Sequence, residues 1–339
     1  MAATHRGRAM AKFKAYRIYN EDGKVRARLV DTTLDELDPG EVVFETAFSS
    51  VNYKDALAAT GAGKIIRRFP CIGGVDASGT VISSADPSIK VGDRIICTSF
   101  DLGVAHDGGY SEYVRVPAAW VVQLPTGLTL FEAMAVGTAG FTAALAVERM
   151  EHDGLRPGNG SVLVSGATGG VGSIAIDILA GAGYDVTALT GKESETDYLQ
   201  RLGAKEVMLR SSLDLTKTRP LDKATWAGAV DNLGGEVLAW LASTMQIGGT
   251  LAAIGLAASH TLNTTVMPFI LRGVSLLGID SVNTPMAMRR RVWQRLASDL
   301  KPRHLRDVCN TVTLEELPVV FEKILKAQAR GRTVVKLAG

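Results

Sequence analysis

The 339-residue sequence predicts an α/β chain of two domains, one β-rich and barrel-like, the other a doubly wound parallel sheet. Three observations predict it. The length is about twice that of an ordinary domain. Residues 13–123 run in short alternating strands broken by turn residues. From residue 129 onward, apolar residues at helical spacing alternate with short apolar strands.

Met1 to Ala9 lack the apolar stretch of a secretory signal, and Met10 offers an alternative start, so residues 1–9 are set aside. Strands are expected at 13–18, 40–48, 79–83, 94–98 and 110–117, between turn residues. At Thr129 the character changes. Residues 130–149 repeat apolar side chains at helical spacing, and Pro157-Gly158-Asn159-Gly160 turns the chain into a strand at 161–164. A glycine-rich turn follows, then a helix at 172–182, a strand at 185–189, a helix at 195–202 and a strand at 206–209. This βαβαβ order calls for parallel strands joined by crossover helices. Strands at 228–232, 250–255 and 275–279 with a helix at 237–245 continue the alternation, and a helix at 314–329 and a strand at 331–337 close it.

Composition narrows the function classes. Hydrophobic residues make up 46% and charged residues 21%, enough apolar surface for packed cores. With 37 Lys and Arg against 35 Asp and Glu, the formal charge of +2 lacks the electrostatic footprint of a nucleic-acid binder. Cys71, Cys97 and Cys309 are too few and too far apart for a disulfide framework or a four-thiolate zinc site. No run of about 18 apolar residues occurs, so the expectation is a cytoplasmic protein that uses neither membrane nor nucleic acid. Glycine, at 36 residues, is in excess and points to tight turns and close backbone approach.

Ser165-Gly166-Ala167-Thr168-Gly169-Gly170-Val171-Gly172 lies between an apolar strand and an amphipathic helix. Its spacing departs by one position from the dinucleotide fingerprint, and alone it would suit a plain tight turn. The strand before it, the helix after it and the βαβαβ order beyond favour nucleotide binding. The backbone N–H groups of Thr168, Gly169, Gly170 and Val171 can then meet a pyrophosphate at the positive end of the helix.

The next strand indicates which nucleotide. An NAD site ends that strand in Asp or Glu, to accept from the ribose hydroxyl. Here the chain reads Leu189-Thr190-Gly191-Lys192-Glu193-Ser194. Thr190 and Ser194 donate hydrogen bonds and Lys192 adds positive charge, beside Gly191, so the site suits a 2′-phosphate and hence NADP(H). Glu193 opposes this, and Arg210, at the end of the third strand, is a second phosphate partner.

Val91-Gly92-Asp93-Arg94 and Gly108-Gly109-Tyr110-Ser111-Glu112-Tyr113, ahead of such a domain, resemble the medium-chain dehydrogenase/reductase superfamily. Its zinc alcohol dehydrogenases carry Gly-His-Glu where this chain has Gly74-Val75-Asp76, and a four-cysteine lobe missing here. His5, His106, His152, His260 and His304 have no spacing for a tetrahedral metal site, so no metal is expected. Reduction of an activated double bond, whose enolate needs only hydrogen bonds, replaces alcohol oxidation as the natural chemistry.

Within the zinc-free branch, Ser49-Ser50-Val51-Asn52-Tyr53-Lys54-Asp55-Ala56-Leu57, Gly61-Ala62-Gly63-Lys64-Ile65-Ile66-Arg67 and Gly137-Thr138-Ala139-Gly140-Phe141-Thr142-Ala143 look like the acrylyl-CoA reductase (YhdH/AcuI-type) family. So do residues 264–272 and 278–282. The resemblance implies a GroES-like catalytic domain at 13–130 and 305–339, a Rossmann NADP-binding domain at 131–304 and a homodimer. It also implies NADPH-dependent reduction of acryloyl-CoA to propionyl-CoA, with Leu256, Ile279 and Ser281 added to the cofactor contacts. Met267-Pro268-Phe269 would be cofactor-proximal, and the strand from Ser275 a sheet-edge dimer contact. The chain departs from the family at Ser99-Phe100-Asp101-Leu102-Gly103, where a Gly-Trp-Gly loop is usual, and at His106-Asp107-Gly108-Gly109, where His-Trp-Gly-Gly is usual.

Such a reaction delivers hydride to the β-carbon of an unsaturated thioester, builds negative charge on the thioester oxygen and protonates the α-carbon. Stabilising that oxygen is the main catalytic task. Asn52 and Tyr53 are the expected catalytic residues, presenting an amide and a phenol to the cleft, with Tyr53 also near the cofactor. Lys54 and Asp55 are equally well a solvated turn pair. Lys64, Arg67 and Arg332 are candidates for the phosphates of a CoA thioester, and Arg68 lies close in sequence. Arg289-Arg290-Arg291 reads as a solvated helix face. Two other readings stay open: an NADPH:quinone oxidoreductase, and a non-catalytic NADPH sensor.

Overall fold

The computed structural model describes residues 12–215 and 219–337, so residues 1–9 lie outside it. The first half of the chain forms β1 (Phe13–Glu21), β2 (Lys24–Thr32), β3 (Val42–Val51), α1 (Tyr53–Thr60), β4 (Cys71–Ile72), β5 (Asp76–Ser84), β6 (Arg94–Thr98), β7 (Tyr113–Val116), β8 (Val122–Gln123) and α2 (Leu130–His152). Next come β9 (Ser161–Ser165), α3 (Gly170–Gly181), β10 (Val186–Thr190), α4 (Thr196–Arg201), β11 (Glu206–Leu209), β12 (Trp226–Asp231), α5 (Gly235–Thr244) and β13 (Met245–Ala253). The remainder is α6 (Met267–Arg272), β14 (Ser275–Gly278), α7 (Met286–Leu296), α8 (Leu305–Val308), β15 (Cys309–Val312), α9 (Leu317–Leu325) and β16 (Arg332–Lys336).

The chain divides into two compact units. The first holds the described residues up to Thr138, Pro285–Arg290 and those from Cys309 onward; the second holds Ala139–Thr284 and Arg291–Val308. The first division falls further along the chain than residue 130 because α2 breaks at Gly137 (φ 52°, ψ −161°). The turns before that break bond into the first unit, where Ala135 O accepts from Arg332 Nε. Pro285–Arg290 joins the same unit through Arg289, whose Nη1 reaches Thr98 O and Thr98 Oγ1. Arg289 is fully buried, with its guanidinium 4.4 Å over the Phe100 ring. The expected solvated face therefore holds for Arg290 and Arg291 only.

In the first unit, β2, β1 and β4 form one antiparallel sheet, and β15-β16-β3-β5-β6-β8, with β7 on β3, form a second, antiparallel except for the parallel β15–β16 pair. β2 went unread in the sequence. It follows β1 through Asp22-Gly23, both at positive φ (52° and 77°), the geometry of a tight hairpin turn. Tyr16, Ile18, Val51, Tyr110, Phe321 and Val335 pack into one core. β16 pairs antiparallel with β3, Val334 opposite Ser50, so the C-terminal strand meets the strand that leads into α1.

In the second unit, all neighbouring strands are parallel in the order β11-β10-β9-β12-β13-β14. Val162, Leu163 and Val164 of β9 are all buried, as expected of a strand covered on both faces. The order reverses between β9 and β12, and the carboxyl ends of all six strands lie along one edge. Among the described residues, α2 alone is long and apolar enough to cross a membrane, and 78% of its most apolar window is buried inside the protein.

Candidate functional site

Each unit carries a set of candidate residues. In the second, every residue expected at a cofactor follows a strand at the carboxyl edge: Thr168, Gly169, Gly170 and Val171 after β9, and Thr190, Gly191, Lys192 and Ser194 at β10. Arg210 follows β11, Leu256 follows β13, and Ile279 and Ser281 follow β14. Parallel topology thus brings together positions more than a hundred residues apart in sequence.

The glycine loop has the form its chemistry requires. Gly166 turns at φ +58°, and a side chain on Gly172 would collide with Gly166 O. Gly169 caps α3, so the first N–H groups of that helix have no acceptor within it. Gly169 N–H is taken by Gly166 O at 3.0 Å, whereas Gly170 and Val171 are half-buried with their N–H groups open to an anion, and Thr168 packs inward. At β10 the buried Thr190 accepts from Lys192 N at 3.0 Å, which fixes the turn. No carboxylate ends this strand; Glu193 follows Lys192 and is exposed. Arg210 is exposed and lines a cavity of about 860 Å³ with Gly234, Gly235, Glu236 and Ser259. Leu256 is exposed, and Ile279 and Ser281 are half-buried.

The end of β12 was not among the expected residues. Ser165 Oγ donates to Asp231 Oδ1 at 2.6 Å, Asn232 N donates to Ser165 Oγ at 2.9 Å, and Asn232 Nδ2 donates to Ser165 O at 2.7 Å. Burial holds the Asp231 carboxyl above its usual range. Asn232 Oδ1 is buried and accepts nothing, beside Gly166. An orphan acceptor at a glycine loop fits a ligand that brings its own hydroxyl or amine donor. A polar pair followed by Gly234-Gly235 at a strand end was the available signal.

In the first unit, Asn52 caps α1 and Tyr53 begins it. Tyr53 is 53% exposed, and its hydroxyl makes no hydrogen bond within the described chain. Asn52 is turned the other way. Its Nδ2 donates to Asp76 Oδ2 at 2.8 Å and to Asp55 Oδ2 at 3.3 Å, and its Oδ1 accepts from Arg332 Nη1 at 3.2 Å. Both amide hydrogens are committed to carboxylates, so Asn52 does not offer them to a substrate oxygen as expected from the sequence.

Asp76 is fully buried and accepts from Ser50 Oγ (2.6 Å), from Thr138 N (2.9 Å) and from Thr138 Oγ1. Ser99 Oγ lies 3.3 Å from that threonine hydroxyl. Gly137 is what lets Thr138 reach Asp76. Besides its left-handed φ, any side chain there would strike Arg332, Ser50 and Asp76. Asp55 is buried, not part of a solvated pair; it accepts from Asn52 N at 2.8 Å and Val75 N at 3.1 Å. Burial, then the charge of Asp76, pushes the Asp55 carboxyl up to about 7. Burial also pushes the Tyr110 phenol well above its usual value and the Cys71 and Cys97 thiols up to about 12, so neither thiol is a ready nucleophile.

The basic residues assigned to substrate phosphates do not form a group. Lys64 is exposed, and Arg67 forms an exposed ion pair with Asp101. Arg332 is only 3% exposed and binds Ala135 O, Val51 O, Asn52 Oδ1 and Ser50 Oγ, 3.9 Å from Asp76 Oδ2. It is a buried counter-ion, not a phosphate ligand. Among the described residues, no group of three or more His, Cys, Asp or Glu side chains could hold a metal ion.

Comparison with known proteins extends this reading. Residues 38–126 match the alcohol dehydrogenase GroES-like domain, and residues 170–298 match the zinc-binding dehydrogenase family. The chain is 50% identical over 318 residues to YhfP of Bacillus subtilis, a protein named as a quinone oxidoreductase, covering 94% of this chain and 96% of that one. It is 48% identical over 315 residues to the acrylyl-CoA reductase AcuI of Ruegeria pomeroyi, covering 93% and 96%. The crystal structure of the YhdH oxidoreductase from Salmonella enterica in complex with NADP superposes with a TM-score of 0.93 at 45% identity, covering 96% of this chain and all (100%) of that one.

Proposed function

The chain belongs to the acrylyl-CoA reductase (YhdH/AcuI-type) family of the medium-chain dehydrogenase/reductase superfamily, and we propose that it reduces the C=C bond of acryloyl-CoA, or a similarly short 2-enoyl thioester, with NADPH. One observation carries the cofactor half. The carboxyl edge of the parallel sheet combines open helix N–H groups, Lys192, Ser194 and Arg210 with an orphan acceptor on Asn232, and β10 ends without a ribose-binding carboxylate. NADPH, when bound, supplies the hydride for the β-carbon.

The residues of this chain bind and orient. The α3 N-terminus takes the pyrophosphate, Lys192 and Arg210 take the 2′-phosphate, and Leu256, Ile279 and Ser281 meet the rest of the cofactor. Tyr53 has the exposed, uncommitted donor suited to the thioester oxygen or to the cofactor. Its position is held by Asn52, a positioning residue in this scheme. Support for a CoA thioester comes from the relatives named acrylyl-CoA reductase, 48% and 46% identical to this chain.

The quinone reading stands second because YhfP is 50% identical. Mixing the protein with NADPH and either acryloyl-CoA or a small quinone, at matched concentration, separates the two. Faster NADPH oxidation with acryloyl-CoA is the expected result; faster oxidation with the quinone reverses the assignment, and none with either supports a non-catalytic NADPH sensor.

We also propose a homodimer paired along β14. It is an edge strand whose far side is unpaired among the described residues, and Leu276 on it, with Ile270 and Leu271 on α6, is exposed and apolar. Sedimentation at micromolar concentration should give twice the subunit mass; the single mass refutes the pairing.

A further inference from the structure

An arginine and a glutamate share one cavity without pairing. Arg210 follows β11 and Glu236 lies in the first turn of α5, and both line the space of about 860 Å³ in the second unit. Both are exposed, and neither side chain makes an ion pair or hydrogen bond among the described residues. Opposite charges held apart across one cavity suit a ligand with an anion at one end and a hydrogen-bond donor at the other. The walls are fixed by backbone. Gly234 and Gly235 turn at φ 70° and 60°, and a side chain on Gly234 would strike Ser259 O. Leu233 O accepts from Ala258 N at 2.9 Å and Ser259 N at 3.2 Å, which ties the loop after β13 to the start of α5. Leu215, Val237 and Ala258 add apolar surface to the cavity. Just before Gly234, Asn232 and Leu233 lie against Gly166, so one turn borders the glycine loop and the cavity alike.

Resting on the reading of Lys192 and Arg210 as partners of the 2′-phosphate, we propose that the adenine ring of NADPH enters this cavity and that Glu236 accepts a hydrogen bond from its 6-amino group. The ribose fixes the relation, because C2′ carries the phosphate and its neighbour C1′ carries the base. With the pyrophosphate at α3 and the 2′-phosphate at Arg210, the ring falls in the adjoining space, against the apolar wall. Its amino group is a donor and a carboxylate is an acceptor only. Glu236 is therefore a specificity-determining residue for the base, while Arg210 serves the phosphate. A site that accepts from an N–H group rejects the analogue lacking it. Because Glu236 is exposed to water, the expected preference is about tenfold, the low end for a hydrogen bond to a charged group.

The test compares NADPH with its purine analogue, in which hydrogen replaces the 6-amino group, by fluorescence titration. The wild-type protein should bind NADPH about tenfold more tightly than the analogue. Glu236→Ala has no side-chain acceptor and Glu236→Lys has donors only, so in each the two affinities should agree to within about twofold. Glu236 makes no bond that the fold uses, and each ratio is taken within one protein, so a loss of stability that weakens both dinucleotides leaves it unmoved. Equal affinities in the wild-type protein, or a preference for NADPH that survives in both variants, overturn the assignment of Glu236 and leave the NADPH reading standing. Binding of neither dinucleotide by the wild-type protein refutes that reading and this assignment together.

Discussion

A 2.8 Å hydrogen bond from Asn52 Nδ2 to Asp76 Oδ2 points the amide that caps α1 into the protein, leaving Tyr53 as the outward-facing donor of the pair. Four expectations follow from this division of roles and from the carboxyl edge of the parallel sheet.

Arg332→Ala removes the cation beside a buried Asp76 and strips Ser50, Asn52 and the Val51 and Ala135 carbonyls of a donor. Breaking a buried ion pair from one side costs about 3–5 kcal/mol. Urea unfolding should show that loss as a lower midpoint. A midpoint equal to wild type would mean the guanidinium is not the counter-ion of this cluster.

Lys192→Ala should weaken NADPH binding by roughly 10-fold to 100-fold, the worth of one charged hydrogen bond, and leave NADH binding nearly unchanged. Fluorescence titration with both nucleotides measures the contrast. Equal losses for the two would assign Lys192 to something other than the 2′-phosphate.

Tyr53→Phe keeps the ring and deletes the uncommitted hydroxyl. A loss of about tenfold in turnover or in NADPH affinity is expected, matching one neutral hydrogen bond made to substrate or cofactor. Steady-state kinetics with NADPH alongside direct nucleotide titration tells the two apart; wild-type values in both would remove Tyr53 from the site.

The Asp55 carboxyl is raised from an ordinary 3.8 to about 7 in the folded chain. The folded state therefore holds a proton that the unfolded state has released between those values. Its contribution to stability is complete below pH 4, declines by about 1.4 kcal/mol per pH unit through the window, and is gone above pH 7. Compared with Asp55→Asn, the wild-type protein should lose stability between pH 4 and 7 in chemical denaturation. A constant difference between the two proteins across that range would contradict the raised value.

The cofactor half was legible because backbone chemistry restricts which residues can serve. Only glycine tolerates the approach of Gly172 to Gly166 O, and strand-loop-helix order placed Lys192 and Arg210 at the same edge. The other half was less legible because the direction of a side chain depends on distant partners. Asn52 reads as a free amide until β5 supplies Asp76 and β16 supplies Arg332. Arg289 reads as one of three solvated arginines until Thr98 and Phe100 enclose it. Asn232 offers only a polar pair ahead of Gly234-Gly235 as a signal; its role rests on Ser165, in a strand that neighbours its own only after folding.

The pairing of β16 with β3 imposes an order on biosynthesis. Residues that surround Asp76 leave the ribosome early, while its counter-ion Arg332 follows only after every strand of the parallel sheet. Until then the first unit has a carboxylate to bury and no cation to bury with it, whereas the six parallel strands of the second are already complete. Translation therefore lets the nucleotide-binding sheet close first and delays the Tyr53 half until β16 has been made. A chain truncated before Arg332 would keep every strand of the dinucleotide fold and lack the guanidinium that lies beside the buried Asp76.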